Sequence, residues 1–210
     1  MTENVLRSGL TFKIALFLAL TLFASAAAAR ETYRQFSARL VAAGEQAQSF
    51  SPGIEAALLR LVNAHRLSIG RKALVDNSEF QFAARAQAAD LLGQGRVGHV
   101  SSTGSDFDSR IRALRNGAMV LPAMAENAAR VSKADGDDEA LARRLVAQWL
   151  ASPPHKHELE SQDYVSVATG VIHAQGKVYA DQIFVGPEVK TNMNRVVEPT
   201  PKVKSGQGLY

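Results

Sequence analysis

The chain contains no cysteine. That excludes disulfides, thiolate nucleophiles, cysteine-ligated zinc and iron–sulfur clusters, and it leaves no acceptor for a lipid anchor at an export cleavage site. Stability must come from a packed core. Charge is close to balanced, at a formal +4, and no run of five or more Lys or Arg occurs. Such a chain carries no nucleic-acid signature. The longest apolar stretch, "IALFLALTLFA", is shorter than the ~18–20 residues of a spanning helix. No P-loop, dinucleotide-binding glycine pattern, HExxH or GxSxG is present. The acidic cluster "DGDDE" lacks the alternation and the distal Glu of a calcium loop and suits the polar start of a helix.

What remains is a 210-residue chain, 46% hydrophobic and 21% charged, with room for one ordinary domain plus attachments. Arg7 and Lys13 precede the apolar stretch, and the small residues of "SAAAAR" follow it. That order is a secretory signal peptide with cleavage near Ala29. Export to the periplasm or the medium is therefore expected, with no stable membrane insertion after cleavage. We expect a signal over residues 1–29, a lead-in with one short helix over 30–50, a compact domain over 51–187 and a flexible tail over 188–210.

Ile54, Leu58, Leu61, Val62 and Ile69 recur at helical spacing before the stop at Gly70. A second helix is expected after Asp76, with Glu79 as a capping-box partner and Phe82, Ala86 and Ala89 on its inner face. Its many alanines imply close approach to a flat surface such as a sheet. A third helix spans Asp106 to Arg115. A fourth carries Leu141, Leu145 and Trp149 on one stripe and stops at Pro153. "YVSVATGVI" and "KVYADQIFVG", separated by "HAQG", predict a hairpin, and "RVGHVS" a third strand. The fold class is α+β, helices layered on a small antiparallel sheet.

Three residues at element ends are candidates for chemistry: His99 after "RVG", Glu126 in "MAENAAR" and His155 in "SPPHKHELES". His157, two residues on, is expected to be a solvated loop side chain, His65 to be partly packed and His173 to be exposed at the hairpin. Ser101 and Ser102 suit a turn.

Four stretches, taken in order, resemble one known family. They are "LLRLVNAHRLSIGRKAL" with Asn63 and Arg66, "GHVSSTGSDFDSRIRALRNG", "AENAA" and "VAQWLASPPHKHELES". The family is the CAP superfamily of cysteine-rich secretory, antigen 5 and pathogenesis-related 1 proteins, also called the SCP domain, in its cysteine-free bacterial branch. The resemblance implies an α-β-α sandwich around a three-stranded antiparallel sheet. It places the family's cleft residues on His99, Glu126 and His155. The second glutamate of many members is Ser152 here, and Ala125 and Pro154 replace glycines.

Two imidazoles and a carboxylate suit Zn²⁺ or another divalent metal with one open position. Without metal, they form a cluster in which Glu126 fixes an imidazole tautomer and raises its pKa. The leading expectation is an exported protein binding a divalent metal or a small polar ligand at this cleft. Two alternatives stand beside it: a hydrolase of peptides or envelope polymers that activates water by zinc or by a His–Glu pair, and a non-catalytic structural protein. The partner would be a small ligand or an envelope or extracellular protein.

Overall fold

The computed structural model describes residues 31–115, 121–133 and 136–188. The expected signal peptide and the tail beyond residue 188 lie outside them. Helix α1, Tyr33–Gln46, opens with a capping box between Thr32 and Gln35. Helix α2, Pro52–Ser68, buries Ile54, Leu58 and Val62. Ile69 falls just past its end and is exposed, so it leaves the expected stripe.

Strand β1, Val75–Asp76, precedes helix α3, Ser78–Gln94. The cap of α3 is Asn77, whose side chain accepts from the Phe80 N–H. Glu79 is not its capping-box partner. It pairs instead with Arg115. The buried stripe runs through Phe80, Ala84, Ala88 and Leu91. Phe82, expected inside, lies two positions off that stripe, about 200° around the helix, and is exposed. Gly95, in the left-handed conformation at φ 68°, ends the helix.

Helix α4, Phe107–Leu114, is capped by Asp106. Helix α5, Asp138–Leu150, is capped by Asp137 and buries Leu141, Leu145 and Trp149 as expected. Pro153 ends this stretch but also begins helix α6, Pro153–Glu160. Proline at the first helical position loses no hydrogen bond, because that N–H has no intrahelical partner.

Three longer strands follow the antiparallel pattern: β2 (Met124–Ser132), β3 (Ser166–Ala174) and β4 (Lys177–Val185). The sheet order is β1-β3-β4-β2, with the two-residue β1 parallel to β3. The predicted hairpin is β3–β4, turned through Gln175 and Gly176 at φ 51° and 71°. The third antiparallel strand is not residues 96–101, which form a loop, but β2 around Glu126. All nine β2 residues pair with β4. "MAENAARVS" has little β propensity of its own, and partner pairing overrides it.

Helices cover both faces of the sheet. Ala128, Ala168, Ile172, Tyr179 and Ile183 meet α3, while Ala129, Val167, Val171, Val178 and Phe184 meet the buried residues of α2 and α5. The α+β sandwich is thus present, with four strands in place of three. Gly170 explains the alanines of α3: a Cβ there would lie 2.3 Å from the backbone of Ala84 and Arg85. Helix α1 packs against α3 and α4. Among the described residues no helix is long and apolar enough to cross a membrane.

Candidate functional site

Glu126 and Asn127 are consecutive residues of a strand, so their side chains leave opposite faces of the sheet. Each holds one of the two candidate histidines. Glu126 Oε1 meets His99 Nδ1 at 2.9 Å on the α3 side. Asn127 Nδ2 donates to the His155 backbone carbonyl at 2.9 Å. The Glu-Asn dipeptide therefore fixes an imidazole with one residue and a helix turn with the next.

His99 comes from the loop that leaves α3. Its backbone carbonyl accepts from Arg110 Nη2 of α4 at 3.3 Å. The same nitrogen donates to Glu126 Oε2 at 2.5 Å. Both oxygens of Glu126 are thus engaged, and its side chain is only 2% exposed. The His99 side chain is 53% exposed, and its Nε2 has no partner among the described residues. Glu126 acts as an orienter beneath an outward-facing imidazole.

The electrostatics separate the two histidines. The hydrogen bond that His99 donates to Glu126 raises the His99 pKa, the Glu126 charge adds to this, and partial burial and Arg110 oppose it. Burial lowers the His155 pKa, and the charge of His99 lowers it further. His155 Nδ1 is buried without a partner among the described residues. The pair is set up as one imidazolium and one neutral ring over the same pH range.

Beneath Glu126 lies a group that sequence reasoning missed. Asp181 of β4, fully buried, faces Ala128 across the ladder. Burial pushes its carboxyl pKa well above the usual range, and the neighbouring Glu126 charge adds to the shift, against Arg110. With Arg110 already engaged by Glu126, this burial favours the protonated form of Asp181. The signal was present in the sequence as an aspartate next to a glutamine inside the mostly apolar "VYADQIFV". Arg110 was also missed. It lies on a short helix whose pattern looks solvent-facing, yet it is 1% exposed.

The expected zinc set does not fit this arrangement. A buried carboxylate that already accepts from an imidazole and a guanidinium is poorly placed to ligate a cation, and Arg110 repels one. Among the described residues no group of three or more His, Asp or Glu side chains could hold a metal ion. The remaining histidines sit elsewhere. His65 Nε2 bonds Glu160 at 2.8 Å. His157 lies exposed on α6, a helix and not the expected loop. His173, expected to be exposed, is half-buried in β3 and bonds Ser51 Oγ at 2.8 Å. Ser102 ties its loop to Asp90 on α3, its backbone N–H donating to Oδ2 at 2.7 Å.

The fold has counterparts among solved structures. An outer surface protein of Borrelia burgdorferi matches with a TM-score of 0.51 and 17% identity, over 62% of this chain and 90% of that one. An extracellular SCP-domain protein of Bacillus anthracis matches at 0.51 and 18%, over 65% of this chain and 41% of that one. This chain therefore spans less than half of the second. At such identities the likeness is one of fold. No curated protein sequence matches the chain. The model of the CAP family, the cysteine-rich secretory protein family, matches residues 59–186, and the chain belongs to that family.

Proposed function

We propose that this is an exported CAP-domain binding protein whose His99–His155 site takes a small polar ligand carrying a hydrogen-bond acceptor. One observation carries the proposal: both oxygens of Glu126 are committed, to His99 and to Arg110. The carboxylate therefore serves to hold the His99 imidazolium with Nε2 outward as a charge-assisted donor. His155, neutral beside it, offers the second, uncharged contact. Export is supported by the signal-like N-terminus and by neighbours described as outer surface and extracellular proteins.

The test is an NMR titration of the imidazole resonances against a panel of small carboxylates and sugars, with Zn²⁺ as a separate arm. Binding that moves His99 and His155 together and disappears in His99→Ala supports the proposal. Equal binding by His99→Ala, or a response to Zn²⁺ alone, contradicts it.

A second reading rests on the same hydrogen bond. An imidazole held through Nδ1 by a buried carboxylate has the geometry of a general base for water. Its raised pKa moves that activity to higher pH than an unperturbed imidazole would need, because Nε2 must be free. No side-chain hydroxyl hydrogen-bonds His99 among the described residues, and Ser101 Oγ is paired with Thr103. Hydrolysis would use water directly. Turnover of a peptide, ester or glycan that rises with pH and is lost in Glu126→Gln would favour this reading over binding alone.

A further inference from the structure

Helix α6 has His155 in its first turn, and a separate cavity of about 470 Å³ lies at its other end. The cavity opens between the end of α2, the segment leading into β1, and the connector from α6 to β3. Arg66, Arg71 and Lys72 line one side, and Val75, Tyr164 and Val165 the other. None of the residues of the His99 site takes part.

The cations are fixed in place. Arg66 is 1% exposed. Its Nε donates to the Lys72 carbonyl at 2.9 Å, and its Nη1 to the carbonyls of Leu159 and Ser161 at 2.7 and 2.9 Å. Arg71 Nε donates to the Glu160 carbonyl at 3.0 Å. Three of these carbonyls close α6, whose C-terminus favours positive charge. That contact orients both guanidiniums without using them up. Arg66 Nη2 and both Nη groups of Arg71 have no partner among the described residues.

No carboxylate among those residues lies within ion-pair distance of Arg66, Arg71 or Lys72. The nearby acids are engaged elsewhere. Glu160 pairs with His65 and Lys156, Glu158 accepts from the Tyr164 hydroxyl at 2.5 Å, and Asp163 accepts from Ser161. Burial makes the Arg66 charge less favourable, and repulsion from Arg71 adds to this. Like charges gathered in a concave site without an acid form a site for an anion.

The opposite wall is apolar and wet. Val75 and Val165 are 69% and 49% exposed. Large apolar side chains left in water around a cavity mark a binding surface. We infer that this cavity binds a small carboxylate attached to an apolar body. The free edges of the guanidiniums match the two oxygens of a carboxylate, and the valines and Tyr164 cover the rest of the molecule. Such a group is found at the C-terminus of a peptide ending in an apolar residue and in a free organic acid.

Calorimetry on the full chain tests this with N-acetylleucine for the peptide end and 4-phenylbutyrate for the free acid. N-acetylleucinamide and acetate serve as controls. A carboxylate of this size binds with a Kd on the order of 1 mM, and both controls bind at least tenfold more weakly. The double variant Arg71→Gln/Lys72→Gln weakens binding at least fivefold while the chain stays folded by circular dichroism, since neither residue is in the core. His99→Ala leaves it intact. Preference for N-acetylleucine supports the site with a peptide end as its ligand, and equal binding of both carboxylates supports it with organic acids in general. Equal binding of the amide, unchanged binding by the double variant, or loss in His99→Ala would overturn the inference. The last result would place the carboxylate at the His99 site, so the two proposals fail separately.

Discussion

The two faces of the sheet bury polar groups by different means. Toward α3 and α4, the sheet carries Glu126 and Asp181 among alanines, met by the guanidinium of Arg110 from α4, with Gly170 completing the row through Ala128 and Asp181. Toward α2 and α5, the next row is Asn127, Gln182 and Thr169, all uncharged, with Gln182 donating to Thr169 at 3.2 Å. Valines, leucines and Trp149 surround that row. Within the sheet, carboxylates are buried on the face where Arg110 of α4 brings a counter-charge, and amides and a hydroxyl fill the row facing α2 and α5. The site spans the boundary, because Glu126 belongs to the first face and Asn127 to the second.

The comparison can be broken most severely at Gly170. Gly170→Ala puts a methyl 2.3 Å from helix backbone, which cannot move like a side chain. We expect failure to fold, or a loss above ~3 kcal/mol, read by urea denaturation. Arg110→Leu comes next. It strands Glu126 on the charged face and should cost about 3–5 kcal/mol. Asn127→Ala on the neutral face removes one hydrogen bond and should cost only about 1–3 kcal/mol. Equal losses at Arg110 and Asn127 would erase the distinction between the faces.

Asp181→Asn sharpens the comparison through pH. The native carboxyl holds its proton above the ordinary value of 3.8, while the unfolded one releases it. Stability from this group is complete below 3.8 and falls as pH rises toward the native pKa, with a slope of up to ~1.4 kcal/mol per pH unit. The asparagine variant lacks that slope. Its stability relative to the parent should therefore increase between pH 4 and 7 in denaturation series. A constant difference would mean that Asp181 is ionised in the native state.

Much of this architecture was legible beforehand. Leu141, Leu145 and Trp149 declared α5 by period alone, and the β-branched runs on either side of Gln175–Gly176 declared the hairpin. Ordered motifs pointed to His99, Glu126 and His155, of which His99 and Glu126 are hydrogen-bonded. What could not be read was set by tertiary context. "AENAA" reads as a connector, and it is a strand because β4 offers an edge for all nine residues of β2. "RVGHVS" reads as a strand, and it is a loop because Gly95 has turned the chain and β2 occupies that edge. His157 was expected in a loop, yet the proline pair begins a helix. Arg110 and Asp181 leave no periodic signal, since their burial depends on each other and on Glu126.

The most direct test of the central claim is the pair of imidazole titrations in the NMR spectrum, followed in the parent chain and in Glu126→Gln. Our account predicts His99 above and His155 below the ordinary value of 6.5, with the His99 value falling in the variant as the carboxylate is removed. Its contribution to stability should be present below pH 6.5 and lost as pH rises through the raised value. Coincident titrations in the parent, or a His99 curve that ignores Glu126→Gln, would show that the buried carboxylate does not govern the site.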